Sequence, residues 1–272
     1  MPELPEVETI KNGLNQYCIN KTIVEAGIYC QKLRYPLDPT LCQKLKGQVI
    51  LNFERRGKHL IVKLANYTLI IHLGMSGSLQ IVDTDCYKLQ KHNHIVLKLN
   101  DNTTLFYHDP RRFGYWHITS DDPLQHRCFN HYGLEPLSDV FTPKYLVNAL
   151  KSRKQPIKSS IMDNKIVVGI GNIYACESLF LAQLHPQKAS NILTIKEHHQ
   201  LINAIKTTLA DAITQGGTTL KDYKNATGKP GYFAQKLKVY GQKDKPCVIC
   251  HTAIKAITLA QRTTFYCPNC QR

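Results

Sequence analysis

The spacing of apolar residues predicts β-strands in roughly the first 120 residues. Short apolar or alternating runs recur there between turn residues. They are residues 60–64 (LIVKL), 69–73 (LIIHL), 79–82 and 95–99 (IVLKL). Asn100–Asn102 has the composition of a hairpin turn and precedes a further apolar run, Leu105–Tyr107. Because such strands bury their apolar faces by packing two sheets together, we expect a β-sandwich in this half.

A helix should precede these strands. Pro5 at a first helical position, with glutamates in the first turn, predicts that a helix begins near residue 5 and runs to about residue 17. Its apolar residues recur every three or four positions and should face the core. They are Val7, Ile10, Leu14 and Tyr17.

The periodicity breaks near residues 135–142 and becomes helical, which predicts a domain boundary. Three helices are expected after it: one capped by Thr142 from Pro143 to about Lys151, one over Ile170–Leu184, and one from a Thr194–Glu197 capping box to Gly216–Gly217. Residues 217–234 contain few apolar side chains and many Gly, Thr and Lys, which predicts a mobile loop.

Length and composition narrow the class of protein. The chain has 272 residues, of which 43% are hydrophobic, enough for two or more domains with ordinary cores. No apolar run approaches the roughly 18 residues of a membrane span, and the N-terminus lacks the layout of a secretory signal. We expect a soluble, cytoplasmic protein.

The net charge of +15 is concentrated in the second half. Residues 1–143 contain 16 Lys and Arg and 14 Asp and Glu, a net charge of +2. Residues 144–272 contain 19 Lys and Arg and 6 Asp and Glu, a net charge of +13. A basic surface can be merely solubilising, but this asymmetry favours binding to a polyanion such as nucleic acid.

Four of the ten cysteines predict a zinc site. Cys247, Cys250, Cys267 and Cys270 form two C-x2-C pairs separated by 16 residues. Two thiolate pairs of this kind close a tetrahedral zinc site, and the metal would replace a core that so short a segment cannot build. Two disulfides are the alternative, which a reducing compartment disfavours. We expect one structural zinc ion.

The first residues, MPELPEVET, indicate a nucleophile. Removal of Met1 would leave Pro2 with a free secondary amine. A terminal amine titrates near pH 8, so its neutral fraction at pH 7 is roughly several hundred times that of a lysine. Glu3 and Glu6 place carboxylates beside it for proton transfer. An ordinary acidic helix start is the alternative explanation of the same residues.

Several glycine-containing turns hold candidate ligand-binding side chains. Met75 in residues 72–77 and Phe113 in residues 109–114 could each point outward or lie in the core. If these two side chains point outward, they would resemble the apolar wedges of proteins that kink duplex DNA. The glycines before Asn172 lie at a predicted helix start, where backbone amides bind phosphate. Lys58 is either a further contact or an ordinary loop lysine.

Taken together, these motifs closely resemble those of bacterial formamidopyrimidine-DNA glycosylase, an 8-oxoguanine DNA glycosylase and AP lyase. In chain order they are MPELPEVET, RRGKHL, HLGMSG, DPRRFG, MDNK with GIGNIYA, GGTTLKDY with GKPGYFAQ, and QRTTFYCPNCQ. The resemblance runs from residue 1 to the last cysteine pair. The related endonuclease VIII family is not expected to share the Leu4 form of the opening or the DPRRFG turn.

The resemblance implies an α+β multidomain fold. Its parts would be an N-terminal β-sandwich with flanking helices, a helical helix-two-turn-helix domain, and a C-terminal zinc-finger β-hairpin. The corresponding residues are 1–135, 136–236 and 237–272, with a lesion-recognition loop at 217–234. The helix-two-turn-helix topology comes from the resemblance alone.

The resemblance also implies the catalytic roles. Pro2 would attack C1′ of the damaged nucleotide, Glu3 would be the acid and base partner, and Glu6 would support it. Lys58 would donate a proton during elimination. The reaction expected is removal of oxidised purines from duplex DNA, followed by β,δ-elimination through a Schiff base. A monomeric, nucleoid-associated bacterial repair enzyme is implied.

Other residues would contact DNA. Met75, Arg111 and Phe113 would fill the gap left by the everted nucleotide, with Arg111 facing the unpaired cytosine. Asn172 and Arg262 would clamp the phosphates flanking the lesion, and Arg262 would assist the second elimination. Further DNA contacts are expected at His72, His94 and Lys158.

Two residues depart from the family pattern. Cys176 stands where a serine is expected, a tolerated small-for-small change, and Asn93 where many members carry aspartate, which weakens support for nearby backbone.

Two functions other than a glycosylase also stay open. A non-catalytic zinc-dependent DNA-binding protein would explain the charge and the cysteines but not Pro2 and Glu3. A zinc-stabilised RNA- or ribosome-associated protein is permitted by composition alone.

Overall fold

The structure, a computed structural model, describes three stretches of the chain: residues 2–218, 226 and 231–272. They fall into two compact units, Met1–Asn130 with Gln215–Tyr232, and His131–Thr214 with Phe233–Arg272. The chain therefore enters the second unit after residue 130, returns to the first for one segment, and ends in the second. Each unit has its own hydrophobic core.

The first unit is a β-sandwich with a helix packed on it. Its helices are α1 (Leu4–Cys18) and α2 (Leu41–Leu45). Its strands are β1 (Ile23–Ile28), β2 (Ile50–Arg56), β3 (His59–Leu64), β4 (Thr68–His72), β5 (Ser78–Asp83), β6 (Asn93–Leu99), β7 (Thr103–His108) and β8 (Tyr115–Thr119). They form two antiparallel four-stranded sheets, in the orders β1-β6-β7-β5 and β2-β3-β4-β8. The predicted sandwich is confirmed.

The strands that the sequence pattern missed share one property. β1, β2 and β8 all lie at sheet edges. Side chains of β1 and β2 alternate irregularly between buried and exposed, so neither strand shows a continuous apolar run. The predicted strands β3, β4 and β6 are buried over most of their length and are therefore apolar on both faces.

Helix α1 begins and ends within a residue or two of its predicted limits, but one predicted core position is wrong. Val7, Ile10 and Leu14 are buried, whereas Tyr17 is 39% exposed. Cys18 is buried instead. Successive helical residues are about 100° apart, so residues four positions apart lie on the same face of a helix. Cys18 is four positions after Leu14 and therefore continues the buried stripe, whereas Tyr17 does not.

Polar contacts fix α1 against β2. The amide of Asn15 pairs with the backbone of Phe53 in both directions, donating to its carbonyl at 3.0 Å and accepting from its N–H at 2.9 Å. Arg55 Nε donates to Glu8 Oε2 at 2.6 Å. Arg55 Nη1 also donates to the carbonyl of Gly57 at 3.0 Å, so one side chain joins the helix to the turn between β2 and β3.

The second unit is mostly helical. Its elements are α3 (Pro143–Leu150), α4 (Ile157–Ile161), α5 (Asn172–Leu181), α6 (Ile195–Thr214), β9 (Lys255–Leu259) and β10 (Arg262–Tyr266). Strands β9 and β10 pair as an antiparallel hairpin. The five-residue α4 was not predicted, because it is too short to show a helical period. Among the described residues, no helix is long and apolar enough to span a bilayer.

The predicted helix signals are present in the second unit. Thr142 Oγ1 accepts the N–H of Tyr145 at 3.3 Å. Thr194 and Glu197 form the reciprocal capping box that opens α6. The predicted helix over Ile170–Leu184 is shorter than expected. It begins at Asn172 because Gly171 is extended, and it ends at Leu181, shortly before Gln183 adopts a positive φ.

The Glu8–Arg55 pair predicts a pH-dependent stability. Burial alone would raise the pKa of Glu8, but hydrogen bonds and charge from Lys11 and Arg55 outweigh it and hold that pKa below its ordinary 4.5. A carboxyl with a depressed folded pKa stabilises the fold above its unfolded pKa and loses that stabilisation as pH falls through the folded pKa. We expect Glu8→Gln to lower the unfolding free energy by about 1–2 kcal/mol at pH 7, with the difference shrinking below about pH 4.5.

Urea unfolding at pH 7 and at about pH 3 measures this. Glu25→Gln is the control, since the Glu25–Lys98 pair is exposed and should contribute little. An equal effect of Glu8→Gln at both pH values would contradict the linkage.

Candidate functional site

The start of α1 brings the predicted catalytic residues together. Pro2, Glu3 and Glu6 are all buried. Glu6 Oε2 accepts the backbone N–H of Glu3 at 2.8 Å, the return bond of a capping box. Glu6 Oε1 accepts the N–H of Thr218 at 2.7 Å. Glu6 therefore uses both carboxylate oxygens on backbone donors, and it fixes the residue that follows Pro2.

The arrangement is suited to amine chemistry beside a carboxylate. A free nitrogen on Pro2 would lie one residue from the carboxyl of Glu3, which can give or take a proton at the same centre. An acidic helix start alone does not need glutamates that are almost fully buried, because such residues interact with the helix dipole from solvent. The burial therefore favours the functional explanation.

Lys58 lies in the turn between β2 and β3. Gly57 permits this turn by adopting a φ of +57°, and Lys58 is half-buried. Because Arg55 links the turn to Glu8, the position of Lys58 is tied to α1. Burial is the main cause of the lowered pKa of His72, and the positive charge of Lys58 lowers it further.

His72 is held as a neutral hydrogen-bond donor. Its Nδ1 accepts the N–H of Gly74 at 3.0 Å, which leaves the ring proton of the neutral form on Nε2. The Tyr115 ring stacks on it, with centroids 5.5 Å apart and 11° between the planes. Burial, together with the charges of Lys58 and Arg34, lowers the pKa of His72 to about 4.

The predicted wedge side chains point outward. Met75 is 36% exposed and Phe113 is 48% exposed. Arg111 is exposed, and its Nη2 donates to the carbonyl of Met75 at 3.3 Å. The alternative of core-packed Met75 and Phe113 is therefore wrong. Three side chains, two apolar and one cationic, project from neighbouring turns of the first unit.

His94 and Lys158 are buried, unlike the other predicted DNA contacts. His94 Nε2 lies 2.9 Å from the backbone carbonyl of Asp109. Lys158 is 1% exposed, and its ammonium donates to Asn172 Oδ1 at 2.5 Å and to Thr264 Oγ1 at 2.7 Å. These bonds hold both side chains within the fold, and a DNA contact by either residue stays a prediction.

Asn172 and Arg262 are brought together within the second unit. Asn172 Nδ2 donates to the carbonyl of Thr263 at 2.8 Å, which binds the start of α5 to β10. Arg262 is the first residue of β10 and is exposed. The buried Lys158 stabilises this contact between α5 and β10, because its ammonium bonds a residue of each element. An exposed guanidinium and a fixed amide at a helix start are suited to contacting phosphates.

The four terminal cysteines fit one tetrahedral ion. Their sulfurs all lie within 4.8 Å of one another, with Cys247–Cys270 at 3.9 Å and Cys250–Cys267 at 3.4 Å. A tetrahedron of sulfurs about 2.3 Å from zinc has edges of about 3.8 Å. The cross-pair sulfurs are also too far apart for a disulfide of about 2.05 Å. These cysteines form the site of one structural zinc ion.

The predicted loop at 217–234 lies largely outside the described residues, which omit 219–225 and 227–230. Its two ends are held together by a bridge between Thr218 and Tyr232. Ala226 is buried, and its carbonyl accepts the N–H of Ile81 at 2.8 Å. A Cβ on Gly13 would come within 2.8 Å of Ala226 Cβ, so the glycine leaves room for this contact on α1.

Comparison with known proteins gives a consistent result over the whole chain. The formamidopyrimidine-DNA glycosylase N-terminal domain matches residues 1–116, the formamidopyrimidine-DNA glycosylase H2TH domain matches residues 132–224, and the zinc finger found in FPG and IleRS matches residues 244–272. The chain belongs to the formamidopyrimidine-DNA glycosylase family. The family resemblance inferred from the motifs is confirmed, and with it the helical H2TH domain.

Relatives in the formamidopyrimidine-DNA glycosylase family match along the full length. Those of Teredinibacter turnerae and Hydrogenovibrio crunogenus are 47% and 48% identical over 272 residues, covering all of this chain and 100% and 97% of theirs. The Lactococcus lactis Fpg in complex with abasic-site DNA superposes with a TM-score of 0.91 at 33% identity, covering 99% of both chains. MutM (FPG) of Thermus thermophilus gives 0.87 at 33% identity, covering 99% and 98%.

Two buried carboxylates were not singled out by sequence. Glu177 accepts backbone N–H groups from Lys238, Val239 and Tyr240 at 2.8–3.0 Å, which anchors the approach to the zinc finger on α5. Asp109 accepts donors from three segments of the first unit. Neither role has a local sequence signal, although Asp109 stands at the head of the DPRRFG turn.

The two departures from the family pattern fit their surroundings. Asn93 is buried, donates to the Tyr87 hydroxyl at 3.1 Å, and has its Oδ1 2.9 Å from Nδ1 of His108. The Asn93 side chain is thus bonded to two other side chains, and not to the backbone that was expected to lose support. Cys176 is buried in the apolar cluster that joins α5 to the zinc finger, where a thiol is a suitable small hydrophobe.

Metal analysis tests the zinc site. Freshly purified protein should contain about one zinc per chain, and Cys250→Ser should lose it because a serine hydroxyl is a poor zinc ligand. Hydrogen exchange should then speed up in β9 and β10, while the sandwich strands keep their protection. Cys86→Ser, an exposed cysteine outside the cluster, is the control. Protein without zinc, or full zinc retention by Cys250→Ser, would contradict the assignment.

Proposed function

We propose that this member of the family removes oxidised purines, 8-oxoguanine and formamidopyrimidines, from duplex DNA and then cleaves the abasic strand, with Pro2 as the nucleophile. The observation that carries the mechanism is the buried Pro2–Glu3 pair at the start of α1, fixed by Glu6. Substrate duplex DNA is supported by relatives solved with abasic and lesion-containing DNA.

In the proposed reaction the nitrogen of Pro2 attacks C1′ of the damaged nucleotide, and the bond from C1′ to the base breaks. Glu3 supplies and accepts protons at this centre. The sugar ring then opens: the C1′–O4′ bond breaks, O4′ takes up a proton, and C1′ becomes a cationic iminium with the Pro2 nitrogen. The iminium makes the C2′ proton acidic, so its removal expels the 3′ phosphate, and a second elimination expels the 5′ phosphate. Lys58 donates a proton near the site during elimination, and Arg262 assists the second step.

The DNA contacts follow from the exposed groups. Met75, Arg111 and Phe113 fill the gap left by the everted nucleotide, and Arg111 faces the unpaired cytosine. Asn172 and Arg262 contact the phosphates beside the lesion. His72 donates through Nε2 to the backbone of the DNA.

Two expected contacts take an indirect form. Lys158 acts on the phosphates through Asn172, since its buried ammonium donates to that amide. His94 acts through the DPRRFG turn, since its ring meets the carbonyl of Asp109.

We also propose the three-part division at residues 1–135, 136–236 and 237–272, with a lesion-recognition loop at 217–234. A cytoplasmic, nucleoid-associated monomer is the form in which the enzyme would work.

Strand cleavage of a duplex with one 8-oxoguanine opposite cytosine tests the reaction. The processed protein should leave phosphates at both ends of the gap. Glu3→Gln should slow base release by about a hundredfold or more, because general acid–base catalysis typically contributes 10²–10⁴. Glu54→Gln, at an exposed glutamate of β2, should leave the rate unchanged. Binding without any cleavage by the wild type would instead favour a non-catalytic DNA-binding protein.

The wedge should matter only when a base has to be extruded. An unfilled gap in the stack costs a few kcal/mol, so Phe113→Ala should slow single-turnover cleavage of 8-oxoguanine opposite cytosine by about tenfold or more. Met75→Ala should act in the same direction. Cleavage of an abasic site should change little, because little has to leave the stack there. Equal slowing of both substrates would indicate a folding defect.

Phosphate contacts should produce a steep salt dependence. With +13 in residues 144–272, log K should fall linearly with log salt. Arg262→Ala should weaken binding to damaged and undamaged duplex alike and flatten the slope by about one unit. Lys98→Ala, at an exposed strand residue paired with Glu25, is the control. A loss confined to lesion-containing DNA would contradict the phosphate role.

A further inference from the structure

We propose that Asp109 is a positioning residue that holds two turns, residues 73–77 and 109–114, together as one rigid wedge. The inference rests on the proposed function, in which Met75, Arg111 and Phe113 occupy the gap in the DNA. It adds a buried group that touches no DNA and sets the geometry of the three that do.

The carboxylate of Asp109 joins three segments. Its Oδ1 accepts the hydroxyl of Ser76 at 2.7 Å, from the turn that carries Met75. Its Oδ2 accepts the N–H of Gly114 at 2.9 Å and the hydroxyl of Tyr107 at 3.0 Å, from the far end of its own turn and from the end of β7. Asp109 is fully buried, so water does not compete for these bonds.

A second set of bonds braces the same two turns. The Ser76 hydroxyl, which donates to Asp109, also accepts the N–H of Arg111 at 3.3 Å. The guanidinium of Arg111 returns to the carbonyl of Met75 at 3.3 Å. Each turn therefore contacts the other through both backbone and side chain, and Ser76 takes part in two of these three links.

The backbones of the two turns also touch directly. Gly74 has a φ of +68°, and a Cβ there would lie 2.4 Å from both Gly114 N and Phe113 C. A Cβ on Gly114 would lie 1.8 Å from the Tyr107 hydroxyl oxygen. The glycines permit this approach, and Asp109 supplies the hydrogen bonds that hold it.

Rigidity is what a wedge requires. If the turns moved independently, inserting Met75 and Phe113 into the stack would also have to order them, and part of the binding free energy would be lost to that ordering. A preorganised pair presents both side chains at fixed separation before contact. Burial of Asp109 with donors on both oxygens provides this without using any DNA-facing group.

Ser76→Ala is the variant least liable to disturb folding, since it removes one hydroxyl and leaves the Tyr107 and Gly114 bonds intact. Because the bond to Asp109 and the longer bond from the Arg111 N–H are both lost, single-turnover cleavage of 8-oxoguanine opposite cytosine should slow by about three- to tenfold. Abasic-site cleavage should be unchanged. Ser78→Ala is the matched control: Ser78 is also buried and hydrogen-bonded, but to Gln80. It should change neither rate.

Asp109 itself is tested by a pair of variants. Asp109→Asn keeps an oxygen for Gly114 and Tyr107 and has an NH2 that can donate to Ser76, so it should stay within about threefold of wild type on both substrates. Asp109→Ala should slow cleavage of the lesion at least as much as Ser76→Ala, with abasic-site cleavage retained. If Asp109→Ala does not fold, Ser76→Ala against Ser78→Ala decides the question.

A double-mutant cycle separates this inference from the proposed function. If the wedge is one body, Phe113→Ala should slow lesion cleavage less in the Ser76→Ala background than in wild type. Additive effects, or equal slowing of lesion and abasic substrates by Ser76→Ala, would overturn the positioning role of Asp109. If Phe113→Ala alone leaves lesion cleavage unchanged, the proposed wedge function itself fails.

Discussion

The carboxylate of Glu6 is the constraint on which the rest of the proposed chemistry depends. It is buried, and its two oxygens accept backbone N–H groups from Glu3 and Thr218, residues more than two hundred positions apart. A buried carboxylate is tolerated only when its acceptors are satisfied, so this pairing fixes both segments at once. It holds the backbone next to Pro2, and it fixes Thr218 within Gln215–Tyr232, the later segment of the first unit.

The same design recurs elsewhere in the chain, where a buried polar group joins segments that sequence separates. Lys158 connects Asn172 to Thr264 within the second unit, and Asp109 connects Ser76 to Gly114 within the first. Lys158 touches Asn172, itself a proposed phosphate contact, whereas Asp109 touches residues next to Met75 and Phe113. The zinc ion has a similar structural role. The zinc finger, which carries Arg262, has only a small apolar cluster, and the ion supplies the stability that this cluster lacks.

Local signals in the sequence predicted the elements whose cause is local. The capping residues Thr142 and Thr194 predict the starts of their helices, and the spacing of the four cysteines predicts the metal site. Each of these features depends on residues that lie close together in the sequence. The edge strands β1, β2 and β8 escaped prediction because exposed side chains interrupt their apolar pattern, whereas the edge strand β5 was predicted. The burial of Lys158 and the role of Asp109 could not be read from the chain, since their partners lie at distant positions. Motif resemblance supplied the H2TH topology and the outward direction of Phe113, which periodicity left open.

The central claim is that the nitrogen of Pro2, and not a lysine, forms the covalent intermediate. Lys58 is the competitor, because it lies in a turn tied to α1, but a lysine would need its pKa lowered by about two to three units to match a terminal amine. Borohydride reduction during turnover on 8-oxoguanine duplex, followed by peptide mapping of the trapped adduct, decides between them. The account predicts an adduct on residue 2 of the processed chain and none on a form that retains Met1, whose Pro2 nitrogen is an amide. Trapping of the Met1-retaining form on a peptide that contains Lys58 would contradict it.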